Sequence, residues 1–244
     1  VAVSPHWYYS GGATNDDPSL SIGGAMSSVM LSSTQLGCLF DTVTGDEATA
    51  GEDEYRCLYC KNDGTTDWVD PVMWITEQPN VADVPSGETL EFGLEAVRAT
   101  ISASSVADPS IITTAAAHGL EDGATVVIAG HSGSTPSING SHVITVIDGT
   151  SFSIPVDVTV GGTGGTVTGT AAKNTVAQTI ADTYTAPLYV VFDDPATKLT
   201  GTDLPTPPYA ENDYVGVWFH RHTPSSQPIK TGVHIAWEVS GDDA

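Results

Sequence analysis

Residues 99–170 contain no lysine or arginine, and this stretch constrains the fold more than any other feature of the chain. It lies between Arg98 and Lys173, and its only charges are Asp108, Glu121, Asp122, Asp148 and Asp157. Inside it, short apolar runs such as TVVIA and SFSI are separated by Gly, Ser and Asn clusters. Runs of that length between turn-forming residues predict strands, because a stable helix needs a longer periodic segment. The segments on either side also predict strands that pair with one another. The expectation is therefore a discontinuous host domain, residues 1–98 and 171–244, interrupted by a small β module at 99–170.

Composition agrees. The 244 residues include 3 Met and 7 Lys plus Arg but 25 Gly, and Thr, Ser, Val and Ala are abundant. Few long helix formers and many β-branched and turn residues predict an all-β fold with short strands. A chain of this length buries a usable core. No apolar run approaches the roughly 18 residues that a membrane helix requires. The opening VAVSPHWYYS has neither a basic nor an apolar region of the signal-peptide kind, so no signal peptide is expected from it. The net charge of −23 repels nucleic acid and anionic membranes, which removes both as expected partners. It suits solubility at high local concentration, a salty medium, or a basic partner.

Cys38, Cys57 and Cys60 make no disulfide framework. Cys57 and Cys60 lie in EYRCLYCKN, a predicted strand, where a separation of three places them on opposite faces. Free, buried or half-buried thiols are expected. In the same strand Tyr55, Cys57 and Tyr59 share one face and Arg56, Leu58 and Cys60 the other.

The arm at residues 1–15 carries His6, Trp7, Tyr8 and Tyr9 ahead of a Gly-Gly turn. Aromatics at an unstructured terminus supply docking area at low entropy cost, so these four are candidate partner-docking residues; the alternative is that they fold back onto the chain's own core. Gly23-Gly24 predicts a bend. LFDTVTGDEATAGED predicts an acidic solvated loop, since Asp46, Glu47, Glu52, Asp53 and Glu54 lack the order of a calcium loop. Further strands are expected in PVMWITEQPN and GETLEFGLEAV, joined by a Pro-rich turn, then in PLYVVFDDP, DYVGVWFHRHT and GVHIAWEVSG. NTVAQTIADTYTA is ambiguous between a loop and a short helical turn. In DYVGVWFHRHT, Val215, Val217 and Phe219 face inward and Trp218, His220 and His222 face the other way; Ile235, Trp237 and Val239 follow the same logic.

Little here carries catalysis. His118, a lone histidine before Gly119, reads as a strand-entry turn residue. His220 and His222 share a face with Trp218. All three, Trp218, His220 and His222, are candidate docking residues; the two histidines could serve as a pH-sensitive subunit contact or as two metal ligands, but the sequence identifies no third ligand and so no metal is assigned. GGTGGTVTG has glycines but neither a lysine nor a following helix, which argues against a phosphate cradle. No serine-hydrolase, zincin or dinucleotide motif occurs. No catalytic residue and no cofactor is assigned, and no carboxylate pair for glycoside hydrolysis is identified.

Two resemblances cover most of the chain. AHGLEDGATVVIAG, INGSHVITVIDGTSFSI and GGTGGTVTG make the insert resemble small β modules similar to the FCCH domain of ubiquitin-activating enzymes, which recur in bacteriophage structural proteins. That resemblance implies a compact β-barrel-like fold without catalytic residues. SGGATNDDPSLSIGGAMSS, LFDTVTGDEATAGEDEYRCLYCKN and VGVWFHRHT make the host resemble a group of phage-encoded virion proteins in which the insert is often absent. The combined expectation is a β-sandwich, jelly-roll or immunoglobulin-like, carrying an inserted small β-barrel-like module. The function expected is a non-enzymatic bacteriophage virion structural protein made in the host cytoplasm. A capsid decoration or cement protein on the outer surface is favoured, with a tail, baseplate or fibre component as the alternative. Expected partners are other virion proteins and symmetric copies of the chain, a trimer first. The weakly charged insert serves as a spacer or makes weak host-surface glycan contacts. Its one aromatic ring, Phe152, alternates with serines as a core position does.

Overall fold

The computed structural model describes residues 3–32, 38–79, 87–226 and 235–243. Residues 80–86 of the expected Pro-rich turn and the start of the last expected strand, residues 232–234, lie outside them. The fold is all-β, and the chain divides into two compact units. One is Val1–Glu95 with Val176–Ala244, the other Ala96–Thr175. The sequence placed the limits of the insert at 99 and 170. The compact unit is wider because its first strand begins at Ala96, which pairs with Thr170.

The host unit holds β1 (Pro5–Tyr9), β2 (Glu52–Asn62), β3 (Trp68–Glu77) and β4 (Thr89–Leu94), then β12 (Thr202–Asp203), β13 (Tyr214–Thr223) and β14 (Ala236–Asp243). They form two antiparallel sheets, ordered β1-β2-β13-β4 and β12-β3-β14. Leu58, Cys60, Val215, Val217, Phe219 and Phe92 of the first sheet meet Trp68, Met73 and Ile75 of the second in one core, a sandwich-like arrangement. Full burial of each such large side chain stabilises the fold by about 1.5–3 kcal/mol.

The first sheet is buried on its other face as well. There Cys57, Tyr59 and Trp218 pack with Ala177 and Ile180, and Ile22, Met26, Val190 and Phe192 close over them. This cover is made of loops. Gly23 and Gly24, at φ +92 and +78, bend it as their pairing predicts, and a Cβ at Gly23 would lie 1.7 Å from the Gln178 carbonyl oxygen. The Tyr59 hydroxyl pins the layer by donating to the Gly24 carbonyl at 2.5 Å and accepting from the Ala177 N–H at 2.8 Å.

The second unit holds β5 (Ala96–Ser104), β6 (Ser110–Thr114), β7 (Thr125–Ala129), β8 (Gly140–Val143), β9 (Thr145–Asp148), β10 (Ser151–Ile154) and β11 (Thr166–Thr170). Their order is β8-β7-β11-β5-β6-β10-β9. The two edge strands, β8 and β9, are separated in the chain by Ile144 alone, so the sheet curls into a nearly closed barrel. Alternation is strict in β7, where Val126 and Ile128 are buried and Val127 is exposed. Phe152 is fully buried in this unit's own core. The glycine run packs tightly: a Cβ at Gly162 would lie 2.4 Å from the Ser132 carbonyl oxygen, so these glycines serve close backbone approach.

Three expectations are corrected. The acidic stretch is not a loop throughout, because Gly45–Ala50 forms a short helix, α1, capped reciprocally by Thr44 and Glu47, while Glu52–Glu54 begin β2. PLYVVFDDP is not a strand of either sheet. Tyr189 takes a left-handed φ of 63° that interrupts the extended run, and only Asp193 bridges to Phe92. The aromatic arm is not unstructured, since His6 to Tyr9 lie in β1 and pair with β2 from Lys61 to Leu58.

Candidate functional site

β13 runs between β2 and β4, and its register decides which side chains meet. His222 lies opposite Asp53, His220 opposite both Tyr55 and Glu91, and Arg221 opposite Glu54. Because side chains alternate along a strand, two polar clusters form at the same end of the sheet, one on each face.

On the loop-covered face, the Asp53 Oδ1 lies 2.8 Å from His220 Nε2 and 2.7 Å from His222 Nδ1. His220 uses its other nitrogen, Nδ1, toward Glu91 Oε2 at 2.8 Å. The His220 ring stacks on Tyr55, with centroids 4.7 Å apart and planes 8° from parallel, and Phe192 lies 5.3 Å away. His220 is thus held on two sides by rings and at both nitrogens by carboxylates. Asp53 and His222 are about half exposed. Burial pushes the Asp53 carboxyl up, but hydrogen bonds from the two histidines outweigh it and leave the group below its ordinary value. Burial pushes the Tyr55 hydroxyl up, with help from the charges of Asp53 and Glu91. One donor atom each from Asp53, His220 and His222 lies within 4.8 Å of the others.

On the core face, Glu54 accepts from Arg56 Nη2 at 2.9 Å with one oxygen and from Arg221 with the other. Asp41 lies 3.8 Å from Arg56 and 3.7 Å from Arg221, and both guanidiniums face the Phe40 ring. All three members of the Arg-Glu-Arg triad are buried. Their desolvation pushes both guanidiniums down from their ordinary value, against the attraction of Asp41. The sequence reading of a solvated acidic run is corrected at Glu54, which is only 3% exposed.

A third carboxyl, Glu95, is buried with no cation beside it among its described contacts. It accepts from the Trp218 indole N–H and from Gln178, through the backbone N–H at 3.1 Å and the side-chain amide at 3.2 Å. Burial pushes its pKa above the ordinary carboxyl value, and the three hydrogen bonds oppose that shift.

The candidate docking residues therefore separate. Trp218 is fully buried, which corrects the reading of it as a docking residue. Trp7 packs edge-on against Phe219 and Trp237 at 5.6 and 5.7 Å, and Tyr9 is buried in the same core, so the arm's apolar area is used within the chain. Tyr8 donates to Asp63 at 2.6 Å and His6 lies 2.8 Å from the same oxygen. Burial pushes Asp63 up, and its bonds with Lys61, Tyr8 and His6 outweigh that and leave it low. His6, His220 and His222 remain reachable from outside, and only the last two are brought together with a third titratable group. The third partner, Asp53, was hidden in an acidic run with no mark of its own. Only the pairing of β2 with β13 singles it out.

Among the described residues, His118 and the two buried cysteines of β2 serve the fold. His118 is buried, accepts the Leu120 N–H at Nδ1 and so donates from Nε2 to the Asp148 carbonyl at 2.9 Å, as a turn residue should. Cys57 and Cys60 are free and buried on opposite faces of β2, and burial pushes both thiols up. An open groove of about 380 Å³, lined by residues 11–12, 20, 22–25 and 179, has no titratable side chain in its lining. No helix among the described residues is long and apolar enough to cross a membrane. No family model and no curated protein matches the chain, so the resemblance carried by its sequence words gains nothing from comparison.

Proposed function

We propose that the chain is a non-enzymatic structural protein of a bacteriophage particle, displayed on the outer shell as a decoration or cement protein. The observation that carries this reading is the self-contained second unit. It has its own core, and it enters and leaves through β5 and β11, which pair directly from Ala96–Thr170 to Thr100–Thr166. A module whose ends are neighbours can be added to a host without a long closing loop, which suits outward display. The charge of −23 favours solubility at the high copy number of an outer layer. The module's one aromatic ring is buried, so it supports a spacer role over ring-stacking on sugars. Partners on this reading are the major capsid protein and symmetric copies of the chain, a trimer first.

The test is the composition of purified particles of the encoding phage. A copy number on the order of hundreds supports a shell layer, as repeated lattice sites require. A copy number of only a few to some tens overturns the shell assignment in favour of the tail, and absence from the particle overturns the virion reading altogether.

A further inference from the structure

We propose that Asp53, His220 and His222 form a binding site for a divalent transition-metal ion of the zinc class, with Glu91 as the outer carboxylate that orients His220. The donor set is two imidazoles and one carboxylate, the composition of three-ligand zinc sites that keep a fourth position for water. Nitrogen donors select against magnesium and calcium, which take oxygen cages.

The geometry supports the same ion. A tetrahedral zinc site with bonds of about 2.0–2.1 Å places its donor atoms about 3.3 Å apart. The donors here already lie within 4.8 Å of one another, and the two hydrogen-bonded contacts, at 2.8 and 2.7 Å, need to open only slightly. The parts that must move are those with room, since Asp53 and His222 are about half exposed. The part that must stay is fixed. His220 is only 14% exposed in its side chain, stacked on Tyr55, and held at Nδ1 by Glu91, which leaves Nε2 aimed at Asp53. Histidine ligands commonly give their second nitrogen to a carboxylate, which sets the tautomer and the ring orientation. Here that carboxylate stands on β4, across the strand pair from the ligand on β13. The donors come from adjacent strands in fixed register, a more exact scaffold than a loop.

His6 and Asp63 provide an internal control. They also form a histidine–carboxylate contact at 2.8 Å, on the same sheet, but no second histidine converges on it among the described residues. The experiment is calorimetric titration of the chelator-treated full chain with Zn²⁺, in excess Ca²⁺ to occupy diffuse acidic sites. Co²⁺ is used in parallel, since its visible absorption reports coordination. The expected result is one saturable ion per chain, with a Co²⁺ spectrum of four-coordinate form. Affinity should fall tenfold or more in His222→Ala and by about tenfold in Glu91→Gln, the usual range for losing an outer partner, and should not change in His6→Ala. Absence of saturable binding in the parent chain overturns the proposal, as does equal weakening in His222→Ala and His6→Ala. Should His222→Ala fail to fold, the parent's stoichiometry and Co²⁺ spectrum decide alone, with six-coordinate Co²⁺ absorption overturning the site.

Discussion

Two ionic clusters sit back to back on β2 and β13, built from neighbouring residues of the same strands, and they differ in nearly every physical respect. Glu54, Arg56 and Arg221 face the core, and Asp53, His220 and His222 face the loop layer. The first set is buried, with its members committed to one another. The second set is partly exposed, and its three donor atoms converge where, on our proposal, a metal ion binds. A shift of one residue along a strand thus separates a structural ion cluster from a chemically adaptable one. The alternation of side chains makes the division, and the environment on each face gives it meaning.

The largest expected effect tests the buried set. Removing Glu54 leaves two guanidiniums facing each other in the core, with the exposed Asp41 carboxylate at 3.7 and 3.8 Å and the charge of Glu52 farther off. Glu54→Ala should cost about 3–5 kcal/mol, the usual consequence of breaking a buried pair from one side. Urea denaturation of the parent and the variant measures it. A cost below about 1 kcal/mol, the value for exposed pairs, would erase the contrast between the two faces.

The next effect tests the cover over the adaptable face. Gly23 has φ +92 and a backbone oxygen where a Cβ would sit, so Gly23→Ala must displace the 176–180 segment or strain its own backbone. The expected cost is about 2–3 kcal/mol, from strain and overpacking together. A calorimetric melt gives the value. An unchanged melting temperature would mean that the loop layer does not press on the sheet as its contacts imply.

Much of this was legible from sequence, and the limits have a physical cause. Period-two alternation in DYVGVWFHRHT assigned Val217 and Phe219 to one face and Trp218, His220 and His222 to the other, and the structure agrees. The same alternation separated Cys57 from Cys60. It could not say that the second face is also buried, because the cover comes from Ile22, Ala177 and Ile180, far away in the chain and without strand pattern. That is why Trp218 reads as a docking residue in sequence and proves to be core. Asp53 and Glu54 are adjacent acidic residues that alternation sends to opposite faces, and the β2–β13 register decides the partners each meets there. Register is a long-range quantity that a single sequence does not print. PLYVVFDDP failed in the other direction. Its apolar run is as good as any strand's, but Leu188 and Val191 are 63% and 82% exposed, and the backbone meets a sheet only at its end, where Asp193 pairs with Phe92 and the Pro195 carbonyl accepts from the Ile75 N–H.

A pH-dependent prediction separates Glu95 from both ionic clusters. Its folded pKa is raised above its unfolded value by burial, so the folded state holds the proton more tightly. Stability from this group is therefore greatest below the unfolded carboxyl value, near 4.3, and declines as pH rises toward the folded value. Glu95→Gln keeps an oxygen for the Trp218 indole N–H and removes the ionisation. The variant should gain on the parent as pH rises through that window and level off above it. Denaturation at a series of pH values reads the difference. A flat difference across the series would show that Glu95 ionises as easily folded as unfolded.

The smallest expected effect is the most telling for the comparison, because it is made at the residue next to the one with the largest. Asp53→Asn keeps the size of the side chain and an acceptor oxygen in the place of Oδ1, the one atom both histidines contact, and the group is about half exposed. What the substitution removes is the charge behind those two contacts, at a carboxyl that is about half open to water. The cost without metal should therefore stay under about 1 kcal/mol. With Zn²⁺ present the parent alone should gain stability, since a ligand that binds only the folded state adds RT ln(1 + [L]/Kd). Melting curves of both proteins with and without the ion make a four-way comparison. A large cost in the absence of metal would make Asp53 a structural ion like Glu54, and the two faces of the sheet would then be of one kind.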